Sequence, residues 1–150
     1  MESNKAIQIR IIAQEDIMEI FPLTMLLNEN EDPKVIRERV AELSMQDNYF
    51  CVGAYDEDQI IACCGVWKLI KVYAGHHLEV DNVVVSPEYR SQNVGEKMID
   101  FIKDYMYQEG FNQIELNAYI VNESGIRFWE RQGFVKKGYH MIHFSTKKGQ

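Results

Sequence analysis

The spacing of apolar positions divides the chain into short segments with different periods. "AIQIRII" (6–12) alternates, as a half-buried strand does. Residues 15–28 carry a helical pattern in which Pro22 is expected to kink or split the helix. "DPKVIRERVAEL" offers Asp32 as N-cap, Pro33 at the first helical position, and Ile36, Val40 and Leu43 on one face. "YFCVGAYDEDQIIACCGVWKL" reads as two strands joined by a turn at Asp56, Glu57 and Asp58. "HLEVDNVVV" is a further strand that stops at Ser86-Pro87. A helix follows with Val94, Met98, Ile102 and Tyr105 as its apolar stripe, Gly110 as its end, and Asn93 with Glu96 in capping-box positions. "QIELNAY" is a strand, "NESGIRFWERQ" a helix stopped by Gly133, and "FVKK" and "GYHMIHFS" are two last strands. The order predicts a mixed α/β (α+β) fold in one domain: a largely antiparallel sheet of about seven strands, flanked by four helices.

Composition narrows the function classes. The chain has 150 residues, 46% hydrophobic and 26% charged, which is ordinary for a globular protein with a sizeable core. A formal net charge of −7 argues against nucleic acid as a partner, which would call for a basic face. Cys51, Cys63 and Cys64 lack the spacing of zinc ligands and form an odd count, so buried thiols are expected and no metal. "MESNKAIQIRII" has no signal-like apolar core, and no apolar run is long enough for a bilayer. These features predict a cytoplasmic protein without a membrane partner.

The stretch "SPEYRSQNVGEKM" (86–98) carries the first chemistry. A turn that opens a helix gathers backbone N–H groups into a positive concavity suited to phosphate, and Arg90 can add a charge-assisted contact. The loop is neither a Walker A sequence nor a GxGxxG fingerprint. A solvated surface loop is the competing reading.

Together, "VDNVVVSPEYRSQNVGEKMIDFI" and "NESGIRFWERQGF" resemble the GCN5-related N-acetyltransferase (GNAT) superfamily. The first family signature falls on Arg90, Asn93 and Gly95, and the second on Asn122, Phe128, Trp129, Gly133 and Phe134. The order and separation of the two signatures match, as does the element order over almost the whole chain. The resemblance implies transfer of an acetyl group from acetyl-CoA, as co-substrate, to a primary amine without an acyl-enzyme. It implies that Val83, Val84 and Val85 bind pantetheine and polarise the thioester carbonyl where the sheet splays. The N–H groups of Ser91, Gln92, Asn93, Val94, Gly95 and Glu96 would hold the pyrophosphate, and Asn122 would contact the pantetheine arm. Glu79 falls where several members carry their catalytic glutamate, and Asp81, two residues on, is the competing base.

Two positions depart from the family pattern. Asn93 replaces a glycine, and asparagine tolerates left-handed backbone better than other side chains. Trp129 stands where a tyrosine often protonates the departing thiolate; an indole cannot do so, although a thiol of pKa about 8.5 leaves readily unaided. These departures keep open a second reading, a CoA-binding sensor or interaction module without turnover.

The acceptor stays open among small-molecule amines, peptide N-termini and protein lysines, and a homodimer is compatible with the family. Glu29, Glu31, Asp32 and Glu42, on the segments bordering the family's acceptor site, could attract a cationic amine or form a solvated face. His76 and His77 are expected as an exposed pair at a hairpin tip, and Trp67 as core.

Overall fold

In a computed structural model the protein is described over residues 6–146; residues 1–5, where part of the leader reading falls, lie outside. The described chain forms two compact units that divide after Leu116.

The first unit is built on one sheet. Strands β1 (Gln8–Ile11), β2 (Tyr49–Asp56), β3 (Gln59–Lys71), β4 (Gly75–Val85) and β5 (Ile114–Leu116) lie in sequence order. The first three pairings are antiparallel, and β4 with β5 is parallel. The segment 15–28 divides at the expected proline. A 3-10 turn over Gln14–Ile20 precedes α1 (Phe21–Leu27), with Pro22 in the first turn, where its missing N–H costs no helical bond. Helix α2 (Pro33–Leu43) begins as expected, with Asp32 Oδ1 accepting the Lys34 N–H at 2.9 Å. Helix α3 (Val94–Glu109) ends on Gly110 at φ 77°, and it buries Val94, Met98, Ile99 and Ile102.

Alternation along the strands separates two apolar layers. Tyr49, Cys51, Cys63 and Val84 join Ile12, Ile17, Ile20, Leu23, Ile36 and Val40 on the face covered by α1 and α2. Phe50, on the opposite face, meets Tyr105 of α3 with ring centroids 4.8 Å apart. All three cysteines are buried and unpaired.

The second unit holds α4 (Glu123–Arg131), capped by Asn122, whose Oδ1 accepts the Gly125 N–H at 3.1 Å. Trp129 packs edge-on against Phe128 and Phe134 at 4.9 and 5.4 Å.

Three expectations need correction. The sheet has five strands among the described residues, not seven: "QIELNAY" is reduced to Ile114–Leu116, and "FVKK" and "GYHMIHFS" form no ladder. Alternation states which face a strand would bury, but a strand also needs a neighbouring edge to take its N–H and C=O groups. The Asn93 side chain makes no capping bond, because its backbone is left-handed (φ 61°, ψ 23°) instead of extended as a side-chain cap requires. Finally, the two histidines are not an exposed pair. His76 is exposed, whereas His77 is fully buried because the turn lies earlier, at residues 72–74.

Candidate active site

The centre of the first unit is a break in the register of β4. Cys63 pairs with Val84, but Gly65 pairs with Asp81, so Asn82 and Val83 together oppose Cys64. Asn82 takes φ 48°, which makes this a β-bulge on a residue type that accepts left-handed backbone. The ladder to β5 stops at Val80, while β4 runs on to Val85. Asp81 to Val85 therefore have no strand partner on that side among the described residues. Val84 is buried, and Val83 and Val85 are half-buried.

The chain then leaves the sheet through a short 3-10 turn, Pro87–Tyr89. Side-chain hydrogen bonds fix this loop from several directions. Tyr89 Oη donates to Asp56 Oδ2 at 2.5 Å, tying the loop to the β2–β3 turn. Arg90 Nε donates to the Val85 carbonyl at 3.2 Å, and Gln92 Nε2 donates to the Glu88 carbonyl at 3.2 Å. Ser91 (φ 65°) and Asn93 (φ 61°) are both left-handed, and Ser91, Gln92, Asn93 and Glu96 are exposed. The first intrahelical bond of α3 runs from Lys97 N–H to the Asn93 carbonyl at 3.0 Å. The N–H groups of Val94, Gly95 and Glu96 therefore belong to the unbonded first turn, at the positive end of a 16-residue helix. Residues 83–96 thus bring a strand edge without a ladder partner and a helix N-terminus into one continuous segment, an arrangement that can receive an extended anionic ligand.

Two carboxylates stand on β4 next to the bulge. The pairings Trp67–Glu79, Val66–Val80 and Gly65–Asp81 are regular, so Glu79 and Asp81 share a face with Trp67 and Gly65. Asp81 is heavily engaged: Oδ2 accepts Trp67 Nε1–H at 2.9 Å, and Oδ1 accepts Asn82 Nδ2–H at 3.2 Å. It lies over Gly65, where an added Cβ would come within 2.2 Å of both Asp81 Oδ1 and the Tyr49 hydroxyl. Burial raises the Asp81 pKa above the ordinary carboxylate range. The Trp67 N–H opposes that rise and the charge of Glu79 adds to it. The same burial drives the Tyr49 hydroxyl far up, and it pushes the Cys51 thiol up to about 11. Neither is a nucleophile at neutral pH. The half-buried Glu79 carboxylate, by contrast, takes no hydrogen bond from a described residue.

Sequence reasoning missed three features of this region. Trp67 is only half-buried and lines a groove of about 350 Å³ with Arg39, Glu42, Leu43 and Gln46. His77 Nε2 lies 2.7 Å from Glu115 Oε2, and Glu115 Oε1 accepts the Tyr73 hydroxyl at 2.6 Å. The third feature is the bond from Tyr89 to Asp56. Each joins residues far apart in the chain, which no local pattern in the sequence relates. Asn122 and Trp129 lie in the second unit, as cap and aromatic packing of α4. Among the described residues no group of His, Cys, Asp or Glu could hold a metal ion, and no helix is long and apolar enough to cross a membrane.

The chain is similar to known proteins in sequence and in fold. The profile of the Acetyltransferase (GNAT) family matches residues 14–134. Glucosamine 6-phosphate N-acetyltransferase 1 of Dictyostelium discoideum is 31% identical over 110 residues, covering 69% of this chain and 68% of its own. Among solved structures, a possible acetyltransferase from Clostridium difficile 630 superposes with a TM-score of 0.81 at 18% identity, over 93% of this chain and 97% of its own. A ribosomal-protein-alanine N-acetyltransferase from Brucella melitensis biovar Abortus 2308 gives 0.79 at 20% identity, over 93% and 100%. At such identities the two structures speak for the fold, while the profile and the Dictyostelium relative carry the family. The chain belongs to the Acetyltransferase (GNAT) family and is an acetyl-CoA-dependent N-acetyltransferase.

Proposed function

We propose that residues 83–96 hold acetyl-CoA and that Glu79 is the base for direct transfer of the acetyl group to a primary amine. The observation that carries this reading is the run of β4 past its last β5 partner at Val80, directly into a loop with Ser91 and Asn93 left-handed at the start of α3. The unpaired strand edge offers backbone partners to the pantetheine arm and N–H donors to the thioester oxygen. The α3 N-terminus offers its free N–H groups to the pyrophosphate, with Arg90 alongside.

The chemistry then requires one base. The acceptor ammonium loses a proton to Glu79, directly or through water, and the neutral nitrogen attacks the thioester carbonyl carbon. The C–N bond forms, the C–S bond breaks, and the sulfur leaves as thiolate with its electron pair. The now cationic nitrogen gives its second proton to that thiolate or to solvent, leaving the neutral amide. Glu79 suits the role better than Asp81: its carboxylate is uncommitted, whereas both oxygens of Asp81 already accept hydrogen bonds from Trp67 and Asn82. Asp81 then serves to orient Trp67. Trp129, an indole, supplies no proton to sulfur.

The family profile runs through both units, which supports one acetyltransferase domain. A cytoplasmic location and a homodimeric assembly are part of the same proposal. A relative that acts on glucosamine 6-phosphate favours a small-molecule acceptor over a protein lysine.

The test is Glu79→Gln beside the parent, with acetyl-CoA binding measured by calorimetry and transfer by thiol release over an amine panel. Binding should be retained and turnover should fall by about a hundredfold or more. Full turnover in the variant would remove Glu79 from the role. Retained binding without turnover in the parent, over the whole panel, would favour a CoA-binding module instead.

A further inference from the structure

Resting on the N-acetyltransferase reading above, we infer that the groove between α2 and Trp67 is the acceptor site, and that it takes a compact primary amine carried on a hydroxylated ring with a flat apolar face. The groove lies wholly within the first unit. One wall is α2 and the turn after it, which present Arg39, Glu42, Leu43 and Gln46. The other wall is Trp67.

Trp67 is held as a platform. Its N–H is committed to Asp81 Oδ2 at 2.9 Å, and the Tyr49 ring packs on it with centroids 4.7 Å apart. Its direct cross-strand partner on β4 is Glu79. Side chains directly opposite on one sheet face stand about 5 Å apart, so a molecule lying on the indole has its edge beside the proposed base. The indole thus joins a groove on one side to a carboxylate able to take a proton on the other.

The lining selects the ligand. The indole and Leu43 offer apolar contact, and an indole face accepts a flat ring by stacking. The rim offers donors and acceptors together: a guanidinium on Arg39, a carboxylate on Glu42 and an amide on Gln46, which pair with hydroxyls of either sense. Arg39 and Glu42 also oppose one another in charge. The rim therefore carries no field that would repay the ordering of a flexible polycation. A volume of about 350 Å³ sits at the small end of ligand pockets and suits a single ring over a peptide segment.

The test reads occupancy separately from turnover. The whole chain is labelled with 5-fluorotryptophan; its two tryptophans give two fluorine resonances, and Trp67→Phe assigns them. D-glucosamine is titrated without acetyl-CoA, with spermidine and triglycine as non-ring amines. The expected result is a saturable millimolar shift of the Trp67 line with glucosamine and none with the other two. Arg39→Gln and Gln46→Ala, both at exposed positions and so compatible with folding, should each weaken that shift several-fold. A Trp67 line that ignores glucosamine, or that moves equally with spermidine or triglycine, overturns the inference. So does undiminished binding in both rim variants. Acetyl-CoA is then added and thiol release followed: a shift without release supports the groove as a ring-binding site and counts against the transfer machinery proposed at Glu79 and residues 83–96, whereas release without a shift refutes the groove. In Trp67→Leu the acceptor KM should rise about tenfold, the worth of one ring stack, with the acetyl-CoA KM unchanged.

Discussion

Asn93 allows the proposed phosphate loop to be tested through stability before any ligand is added. Its backbone is left-handed, φ 61° and ψ 23°, and its exposed side chain makes no capping bond. The contribution of this residue is therefore almost entirely conformational. An alanine placed there meets the left-handed penalty without the local polar compensation of asparagine, a cost of about 1 kcal/mol. For a chain of 150 residues that lowers Tm by about 2–4 °C. Valine, branched at Cβ, should cost more than alanine. Glycine removes the penalty but gains freedom in the unfolded chain, so Asn93→Gly should lie within about 0.5 kcal/mol of the parent. Equilibrium urea unfolding of the three variants, at constant m, gives the ranking glycine near parent, then alanine, then valine. Calorimetric titration with acetyl-CoA gives the second half: Asn93→Gly, which takes a Cβ away from the pyrophosphate, should bind more tightly than the parent, and Asn93→Val less tightly. Equal stability of the alanine and valine variants with the parent would refute the left-handed assignment, and with it the cradle built on residues 91–96.

Other expectations follow from the same geometry. Asp81 has a raised pKa in the fold, so the native state binds more protons than the unfolded chain at pH values between the unfolded and folded pKa. Stability from this group is full below the unfolded value and is lost as pH rises through the folded one. Asp81→Asn, which keeps an acceptor for the Trp67 N–H, should therefore raise Tm at neutral pH, and the gain should vanish in acid; thermal scans across pH check both. Tyr89→Phe releases the loop from Asp56 and should raise the acetyl-CoA KM several-fold at unchanged kcat, in steady-state kinetics. Ile102→Ala, beneath α3 and fully buried, should destabilise by about 3 kcal/mol in urea unfolding.

The sequence by itself determined the elements whose signals are local. Asp32 and Pro33 opened α2, Gly110 closed α3, Pro22 divided the first helical segment, and strand-like runs broken by the turn at Asp56–Asp58 and by Ser86-Pro87 marked β2, β3 and β4. Motif spacing also placed residues 83–96 as one strand–loop–helix segment, because every part of it is contiguous in the chain. Tertiary structure alone decided what depends on a partner. The bulge at Asn82 and Val83 is a count of residues on two strands at once. The cap expected at Asn93 became a left-handed residue because the loop is pinned from outside by Asp56 and the Val85 carbonyl. His77 was buried because Glu115, from β5, lies at its side. The strands expected at "FVKK" and "GYHMIHFS" formed no ladder, since a strand exists only where another edge receives it. Trp67, one more apolar residue in a strand pattern, became a groove wall because α2 packs beside it and Glu79 stands opposite.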